Sequence, residues 1–167
     1  LIEAGSNVMI AGITGSGKTE LLRYIARYIR DNEAIITIED TREAYLEQNY
    51  PNKYVMALKS SEDYGFPELI RASLRQNPAW ICVSETRSEE VLDLLNATET
   101  GHKLISTIHA DSARAIPNRM VSMAKAIEDM LDDGRGFGRT EGLAVFVDGG
   151  VVGDLIHAQV SKIKKSS

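Results

Sequence analysis

Cysteine is almost absent from this 167-residue sequence, and Cys82 alone cannot form an intrachain disulfide. Three histidines without a second cysteine show no zinc-ligand spacing, so no zinc site is predicted. A basic surplus is also lacking, because 19 Lys and Arg stand against 24 Asp and Glu. The resulting net charge of −5 disfavours nucleic-acid binding, which depends on contacts to phosphates, and we expect no direct sequence-specific binding of nucleic acid.

Long apolar runs are missing as well. No stretch approaches the roughly 20 apolar residues that a membrane-spanning helix needs, and no signal peptide is visible. Together with the single cysteine, these absences predict a reducing compartment and a cytoplasmic protein without a transmembrane segment.

The chain is long enough, and at 43% hydrophobic residues apolar enough, for a single α/β domain that spans residues 1–167. It contains no internal repeat, low-complexity tract or interdomain linker. Because the chain runs into a predicted strand within a few residues of Leu1, we expect it to be a domain cut from a longer protein.

Short apolar runs alternate with segments of helical periodicity along most of the chain. The predicted strands are residues 7–11, 35–38, 54–58, 80–83 and 104–108. The predicted helices are residues 18–30, 67–74, 88–100 and 112–131, the last with a possible start at Pro117. Because such alternation requires crossover connections, we predict a mostly parallel sheet that is covered by helices on both faces.

The C-terminal region is less regular. Residues 134–142 contain four glycines and are predicted to form a flexible loop. Residues 143–147 and 155–160 are predicted to pair as an antiparallel hairpin at an edge of the sheet, joined through Gly149, Gly150 and Gly153.

Residues 12–19 read Gly-Ile-Thr-Gly-Ser-Gly-Lys-Thr and match the phosphate-loop motif G-x-x-x-x-G-K-[ST] between a predicted strand and helix. The glycines let backbone N–H groups turn toward phosphates, Lys18 reaches the β- and γ-phosphates, and Thr19 offers a hydroxyl to Mg²⁺. This pattern predicts a binding site for a purine nucleoside triphosphate and Mg²⁺. Its residues are Gly12, Thr14, Gly15, Ser16, Gly17, Lys18 and Thr19.

Further polar residues follow the other predicted strands. Glu39 and Asp40 follow the second strand, Glu85 the fourth and His109 the fifth. In parallel sheets ligands bind beyond the carboxyl ends of strands, where an acid can hold the water shell of Mg²⁺ or orient an attacking water. The alternative is that these carboxylates cap the following segments, which for Asp40 is about equally favoured.

The remaining candidates are less specific. His102 and His109 lie at opposite ends of one strand, so only one of them can lie near the nucleotide, and position favours His109. Arg71, Arg75 and Arg87 could pair with phosphates, but spacing alone favours a solvated helix face.

In combination these residues resemble the secretion ATPase superfamily, the motors of type II and type IV secretion, conjugation and type IV pili. Four motifs carry the resemblance in the family's order: the phosphate loop at residues 12–19, an Asp box at 36–41, a Walker B region at 70–78 and 84–87, and a His box at 100–102 and 107–112. The resemblance covers residues 8–119 and implies a RecA-like, three-layer P-loop NTPase domain that hydrolyses ATP with Mg²⁺.

The resemblance also implies roles for individual residues. Glu39 would position the attacking water, Glu85 would hold Mg²⁺ through water, and His109 would sense the γ-phosphate. His102 would support the His box, and Arg71, Arg75 and Arg87 would serve nucleotide binding or a subunit interface. The implied assembly is a hexameric ring at the inner face of the membrane, with secretion or pilus machinery proteins as partners.

The sequence departs from the family at two points. Ser84 stands where the family has glycine, and nothing before Leu1 supplies the N-terminal domain that closes over the nucleotide, so slow turnover is expected of this piece. The conjugation and type IV secretion branch and the pilus retraction branch both stay open. So do two other functions: a small-molecule P-loop kinase, for which no acceptor signature is visible, and a nucleotide-dependent binding module with little hydrolysis.

Overall fold

A computed structural model of the chain describes residues 2–87, 90–128, 136–140 and 143–147. These residues fall into two compact units, Leu1–Ala124 and Lys125–Ser167.

The first unit alternates strands and helices. Its strands are β1 (Val8–Ala11), β2 (Ile35–Glu39), β3 (Val55–Lys59), β4 (Trp80–Thr86) and β5 (Lys103–Ile108). The helices are α1 (Lys18–Ala26), α2 (Leu46–Asn49), α3 (Phe66–Leu74), α4 (Glu90–Glu99) and α5 (Ile116–Glu128), the last preceded by a 3₁₀ turn at Ala113–Ala115 and continuing past the boundary of the unit.

The five strands form one parallel sheet in the order β1-β5-β4-β2-β3. Helix α1 covers one face, where Leu22 and Ala26 pack with buried side chains of the sheet such as Trp80. Helices α3 and α4 cover the other face, where Ile70 and Leu94 do the same. The predicted parallel sheet with helices on both faces is therefore confirmed.

Several boundaries differ from the predictions for local reasons. Helix α1 ends at Ala26 rather than residue 30, in a turn where the Tyr28 and Ile29 N–H groups bond to Ile25 and Ala26. Helix α2 was not predicted, because its four residues are too few to show a periodicity. Helix α5 has Pro117 in its first turn, as the alternative start predicted.

The second unit contains an antiparallel pair, β6 (Gly136–Thr140) and β7 (Leu143–Val147), in which Thr140 lies opposite Leu143. The prediction of a flexible loop was therefore wrong for residues 136–140, where a run with two glycines forms a strand. The strand at residues 143–147 is confirmed, and its partner among the described residues is β6. The other predicted partner, residues 155–160, lies outside the described residues.

In the part of the chain that the structure describes, no helix combines the length and the apolar character needed to cross a bilayer.

A polar cluster surrounds the only tryptophan at the amino end of β4. Trp80 is fully buried, and its Nε1 donates to Glu33 Oε2 at 3.2 Å. Lys103 Nζ donates to the other Glu33 oxygen at 2.5 Å. Burial alone would raise the pKa of Glu33, but the hydrogen bonds from Lys103 and Trp80 outweigh it and lower this pKa below its ordinary value of 4.5.

This cluster makes the stability of the fold depend on pH. Because the pKa of Glu33 is lower in the folded chain, its carboxylate stabilises the fold in full above pH 4.5, and the contribution is lost as pH falls through the lowered value. We expect Glu33→Gln to lower the free energy of unfolding by about 2 kcal/mol at neutral pH, and the difference from wild type to shrink at about pH 3. Urea unfolding followed by Trp80 fluorescence measures this.

Glu99→Gln is the matched control, because Glu99 is exposed at the end of α4. A difference between wild type and Glu33→Gln that does not change with pH would contradict a stabilising role for the Glu33 charge.

Candidate nucleotide-binding site

The phosphate loop connects β1 to α1, as the motif requires. Gly15 and Gly17 have φ angles of +73° and +85°, a region that L side chains rarely adopt, and Gly17 directly precedes the helix. A Cβ added to Gly12 would collide with Ser16 Oγ. The path of the loop therefore favours glycine at positions 15 and 17, and a side chain at position 12 would require the Ser16 hydroxyl to move.

The loop has the features of an anion-binding site. Its residues 13–17 are exposed, and α1 begins immediately after them. Lys18 Nζ donates to the carbonyl oxygens of Gly12 and Ile13, each at 3.0 Å, so its ammonium lies over the loop. The exposed loop, the start of a helix and this cation together fit the phosphates of a nucleotide.

The carboxyl ends of neighbouring strands bring further predicted residues to the same edge of the sheet. The Gly12 N–H donates to the Ile108 carbonyl at 3.3 Å, which joins the first loop residue to the residue before His109. On its other side β5 pairs with β4, which carries Glu85 near its end. His109 therefore follows the end of β5 beside the phosphate loop, and Glu85 lies near the end of β4 at the same edge of the sheet.

Glu85 lies on a bulge. Val83 is paired with Ser106, but Thr86 is paired with Ile108, so β4 has one residue more than β5 between these points. The hydroxyl of Ser84, the residue that replaces the family's glycine, is buried and has no hydrogen-bond partner among the described residues.

Two side chains, those of His109 and Arg87, hold the Glu85 carboxylate. His109 Nε2 lies 2.8 Å from Oε1, and Arg87 Nη2 lies 3.1 Å from Oε2. Arg87 also pairs with Asp40 at 2.8 Å, so the cluster extends from β4 to the end of β2. The hydrogen bond to Glu85, helped by the two negative charges, raises the pKa of Arg87 above its ordinary value despite partial burial.

Glu39 is almost completely buried, with 2% exposure. Its Oε1 accepts the backbone N–H groups of Glu43 and Ala44, at 3.2 and 2.9 Å. These two hydrogen bonds hold the loop that follows β2. A separate effect of Glu39 is electrostatic: burial raises the pKa of the Cys82 thiol to about 12, and the charge of Glu39 acts in the same direction.

Arg23 of α1 holds the same two residues of that loop from their carbonyl side. Its Nη2 donates to the Glu43 carbonyl at 2.7 Å and its Nε to the Ala44 carbonyl at 3.0 Å. With the loop held in this way, Glu43 Oε2 accepts a hydrogen bond from the Thr19 hydroxyl at 3.2 Å. The carboxylate in contact with the predicted Mg²⁺ ligand is therefore Glu43.

The structure does not bring every predicted residue to the loop. Arg71 pairs with Glu68 at 2.6 Å and Asp93 at 3.2 Å on the helices that cover the opposite face from α1. Arg75 follows α3, ahead of the amino end of β4, and is exposed. His102 precedes β5, at the opposite edge from the loop, and its Nε2 is buried without a hydrogen-bond partner among the described residues.

Glu43 and Arg23 are the site residues that the sequence reasoning missed. A second acid four residues after Glu39 was a visible signal for Glu43. Nothing in the sequence pointed to Arg23, because its partners are backbone carbonyls 20 and 21 residues away.

A phosphate loop between the first strand and helix of a parallel sheet, with an acid and a histidine at the carboxyl ends of the neighbouring strands, defines a P-loop NTPase with a RecA-like fold. The family described as "Type II/IV secretion system protein" matches residues 1–133. The chain belongs to this family.

Relatives with known names are consistent with this membership. The type IV secretion system protein PtlH of Bordetella pertussis is 37% identical over 134 residues, which are 73% of this chain and 38% of that protein. The VirB11 ATPase of the Brucella suis type IV secretion system, solved with sulphate, has a TM-score of 0.67 at 32% identity and covers 73% of this chain and 35% of that one.

The pilus retraction motor PilT, solved with bound ADP, has a TM-score of 0.57 at 31% identity and covers 71% of this chain and 35% of that one. The chain spans between about a fifth and a half of the length of the curated relatives it matches.

Proposed function

We propose that this chain is the ATP-binding and ATP-hydrolysing part of a motor of the secretion ATPase family, with residues 1–167 contributing its RecA-like domain. The observation that carries the proposal is the convergence of three features at one edge of the sheet. These are the phosphate loop with Lys18, the Glu85–His109 pair, and the Glu43 carboxylate on the Thr19 hydroxyl.

The phosphate loop binds ATP in this proposal. Its backbone N–H groups and the N-terminus of α1 surround the phosphates, and Lys18 exchanges its two loop carbonyls for phosphate oxygens. Thr19 and Glu85, with Glu43 beside them, are the oxygen ligands suited to Mg²⁺ and its water shell. When bound, Mg²⁺ neutralises charge that develops on the phosphate oxygens.

Glu85 and His109 act together. Contacts to a γ-phosphate would give His109 an alternative partner, so nucleotide binding competes with the 2.8 Å contact between His109 and Glu85. Arg87 keeps Asp40 as a partner when Glu85 turns toward the metal site. For Glu39, burial and two backbone hydrogen bonds favour holding the loop over the predicted contact with the attacking water.

A homo-oligomeric ring, hexameric as the resemblance implies, places sites at subunit boundaries. Arg71 is half-exposed and Arg75 exposed, away from the loop of their own chain, which leaves both available to a neighbouring subunit. The naming of PtlH and VirB11 as type IV secretion proteins favours secretion machinery as the partner, in the cytoplasm at the inner face of the membrane. The similarity to PilT keeps pilus retraction as an alternative branch.

One observation favours a second candidate, a nucleotide-dependent binding module with little hydrolysis. Both oxygens of Glu85 are in contact with other side chains, those of His109 and Arg87, so a chain that never releases them would bind ATP without turning it over.

ATP turnover measured against protein concentration, with molecular mass read by light scattering, separates the two. For a motor we expect turnover per chain to rise steeply as an oligomer assembles, because each site needs its neighbour. A chain that binds ATP tightly but shows no turnover at any concentration or mass would contradict the motor and leave the binding module.

A further inference from the structure

We propose that Ser106 and Thr107 of β5 are positioning residues for Glu85, which they aim into the site by holding the bulge of β4. This inference rests on the proposed function, because it concerns how Glu85 comes to serve the metal site. Neither hydroxyl belongs to a residue that the phosphate-loop chemistry requires.

The bulge creates a local problem in hydrogen bonding. Between Val83 and Thr86 the pairing of β4 with β5 shifts by one residue, so the regular ladder is interrupted there. Backbone carbonyls buried in a sheet need hydrogen-bond partners. Where the register shifts, side-chain hydroxyls of the neighbouring strand can act as such partners.

Hydroxyl groups of β5 are those partners. Ser106 Oγ donates to the Val83 carbonyl at 3.1 Å, and Thr107 Oγ1 donates to the Ser84 carbonyl at 2.7 Å. Because side chains alternate along a strand, the two hydroxyls approach β4 from opposite faces of the sheet. The backbone leading into Glu85 is thus held from both sides.

The contacts are buried and form a connected network. Ser106 and Thr107 are 0% and 1% exposed. Ser106 Oγ also lies 2.8 Å from the hydroxyl of Thr86, on the far side of Glu85. The residues before and after Glu85 are therefore attached to β5, while its own side chain is free to project toward His109.

The same strand end carries both the positioning hydroxyls and the partner of Glu85. His109 follows Thr107 by two residues, and its imidazole meets the Glu85 carboxylate at 2.8 Å. Without the Thr107 hydrogen bond, the Glu85 carboxylate would still be present, but the backbone that carries it would be held less firmly. The expected consequence is weaker use of Mg²⁺, with little effect on metal-independent binding of phosphates by the loop.

Thr107→Val tests this, because valine keeps the shape of threonine and has a methyl group in place of the hydroxyl. The affinity for ATPγS is measured by calorimetry with Mg²⁺ and with excess EDTA, and ATP turnover is measured in parallel. We expect both the gain in affinity from Mg²⁺ and kcat to fall about 10-fold or more, a typical loss for partners that support a metal ligand. Affinity in EDTA should change less than about 2-fold, and Thr107→Ser should restore wild-type behaviour.

Thr98→Val is the matched control. The Thr98 hydroxyl also donates to a backbone carbonyl, that of Leu95 at 2.7 Å, but it lies on helix α4 and outside the bulge. This variant should leave the Mg²⁺-dependent affinity and kcat unchanged. If Thr107→Val does not fold, Ser106→Ala removes the other support of the bulge and should act in the same direction.

The outcomes separate the inference from the proposed function. A Thr107→Val protein that matches Thr98→Val in Mg²⁺ dependence and kcat overturns the inference. So does a loss of affinity that is equal in Mg²⁺ and EDTA, since this indicates general damage. If wild type itself neither gains affinity from Mg²⁺ nor hydrolyses ATP, the proposed function fails instead.

Discussion

Replacing Lys18 with alanine should lower ATP turnover by about 10²–10³-fold and weaken binding of Mg-ATP strongly. Lys18 is the cation that lies over the phosphate loop, 3.0 Å from each of two loop carbonyls. A phosphate chain bound in the loop brings several negative charges. Lys18 is the only side chain of residues 12–19 with a positive charge, so its removal leaves these charges without a side-chain partner in the loop. Calorimetry with ATPγS and a phosphate-release assay measure the two effects.

Lys59→Ala is the control for the Lys18 variant. Lys59 ends the edge strand β3 and is exposed, so its loss changes the net charge equally and should leave binding and turnover as in wild type. Normal turnover in Lys18→Ala would mean that the nucleotide site lies elsewhere.

Replacing Glu85 with glutamine should leave ATP binding within a few-fold of wild type and lower turnover by about 10²–10³-fold. The amide keeps the volume of the side chain but removes the negative charge that suits it to the water shell of Mg²⁺. It also weakens the contacts to His109 and Arg87, so the phosphate loop should retain ATP while the chemical step fails. Binding by calorimetry and single-turnover hydrolysis separate the two effects.

Glu62→Gln is the matched control for Glu85→Gln, because Glu62 is exposed in the loop that follows β3, the strand at the opposite end of the sheet from β1 and the phosphate loop. If Glu85→Gln hydrolysed ATP at the wild-type rate, the essential carboxylate would be another residue, and Glu43 on Thr19 would be the next to test.

Much of the fold was predictable because its signals are local. A strand, a glycine-rich loop with Lys18 and a helix follow one another within 20 residues, and each is defined by neighbours in the sequence. Buried parallel strands are continuously apolar, so β2 was found with nearly correct limits and β4 with its correct start, although β4 continues past Val83 to Thr86. The β6 strand was missed because its glycines are typical of loops, and its strand pairing depends on β7.

The candidate site was predictable only in part. Glu85 and His109 were placed correctly at strand ends, since parallel strands present their carboxyl ends at one edge. Glu39 stands at such an end too, but its side chain turns back to bond the loop that follows. Which acid of this loop contacts Thr19 depends on the path of the loop, and the path depends on Arg23 of another element.

The sequence by itself determined the class of the protein, the phosphate loop and the parallel order of its elements, because these depend on residue types at fixed short spacings. Only the tertiary structure decided that Glu85 lies on a bulge and that Glu43, rather than Glu39, contacts Thr19. It also decided that Arg71 and His102 lie away from the phosphate loop. The physical reason is that these features arise from hydrogen bonds and ion pairs between segments far apart in the chain. Their energies depend on which groups folding brings within about 3 Å, and no local pattern encodes that.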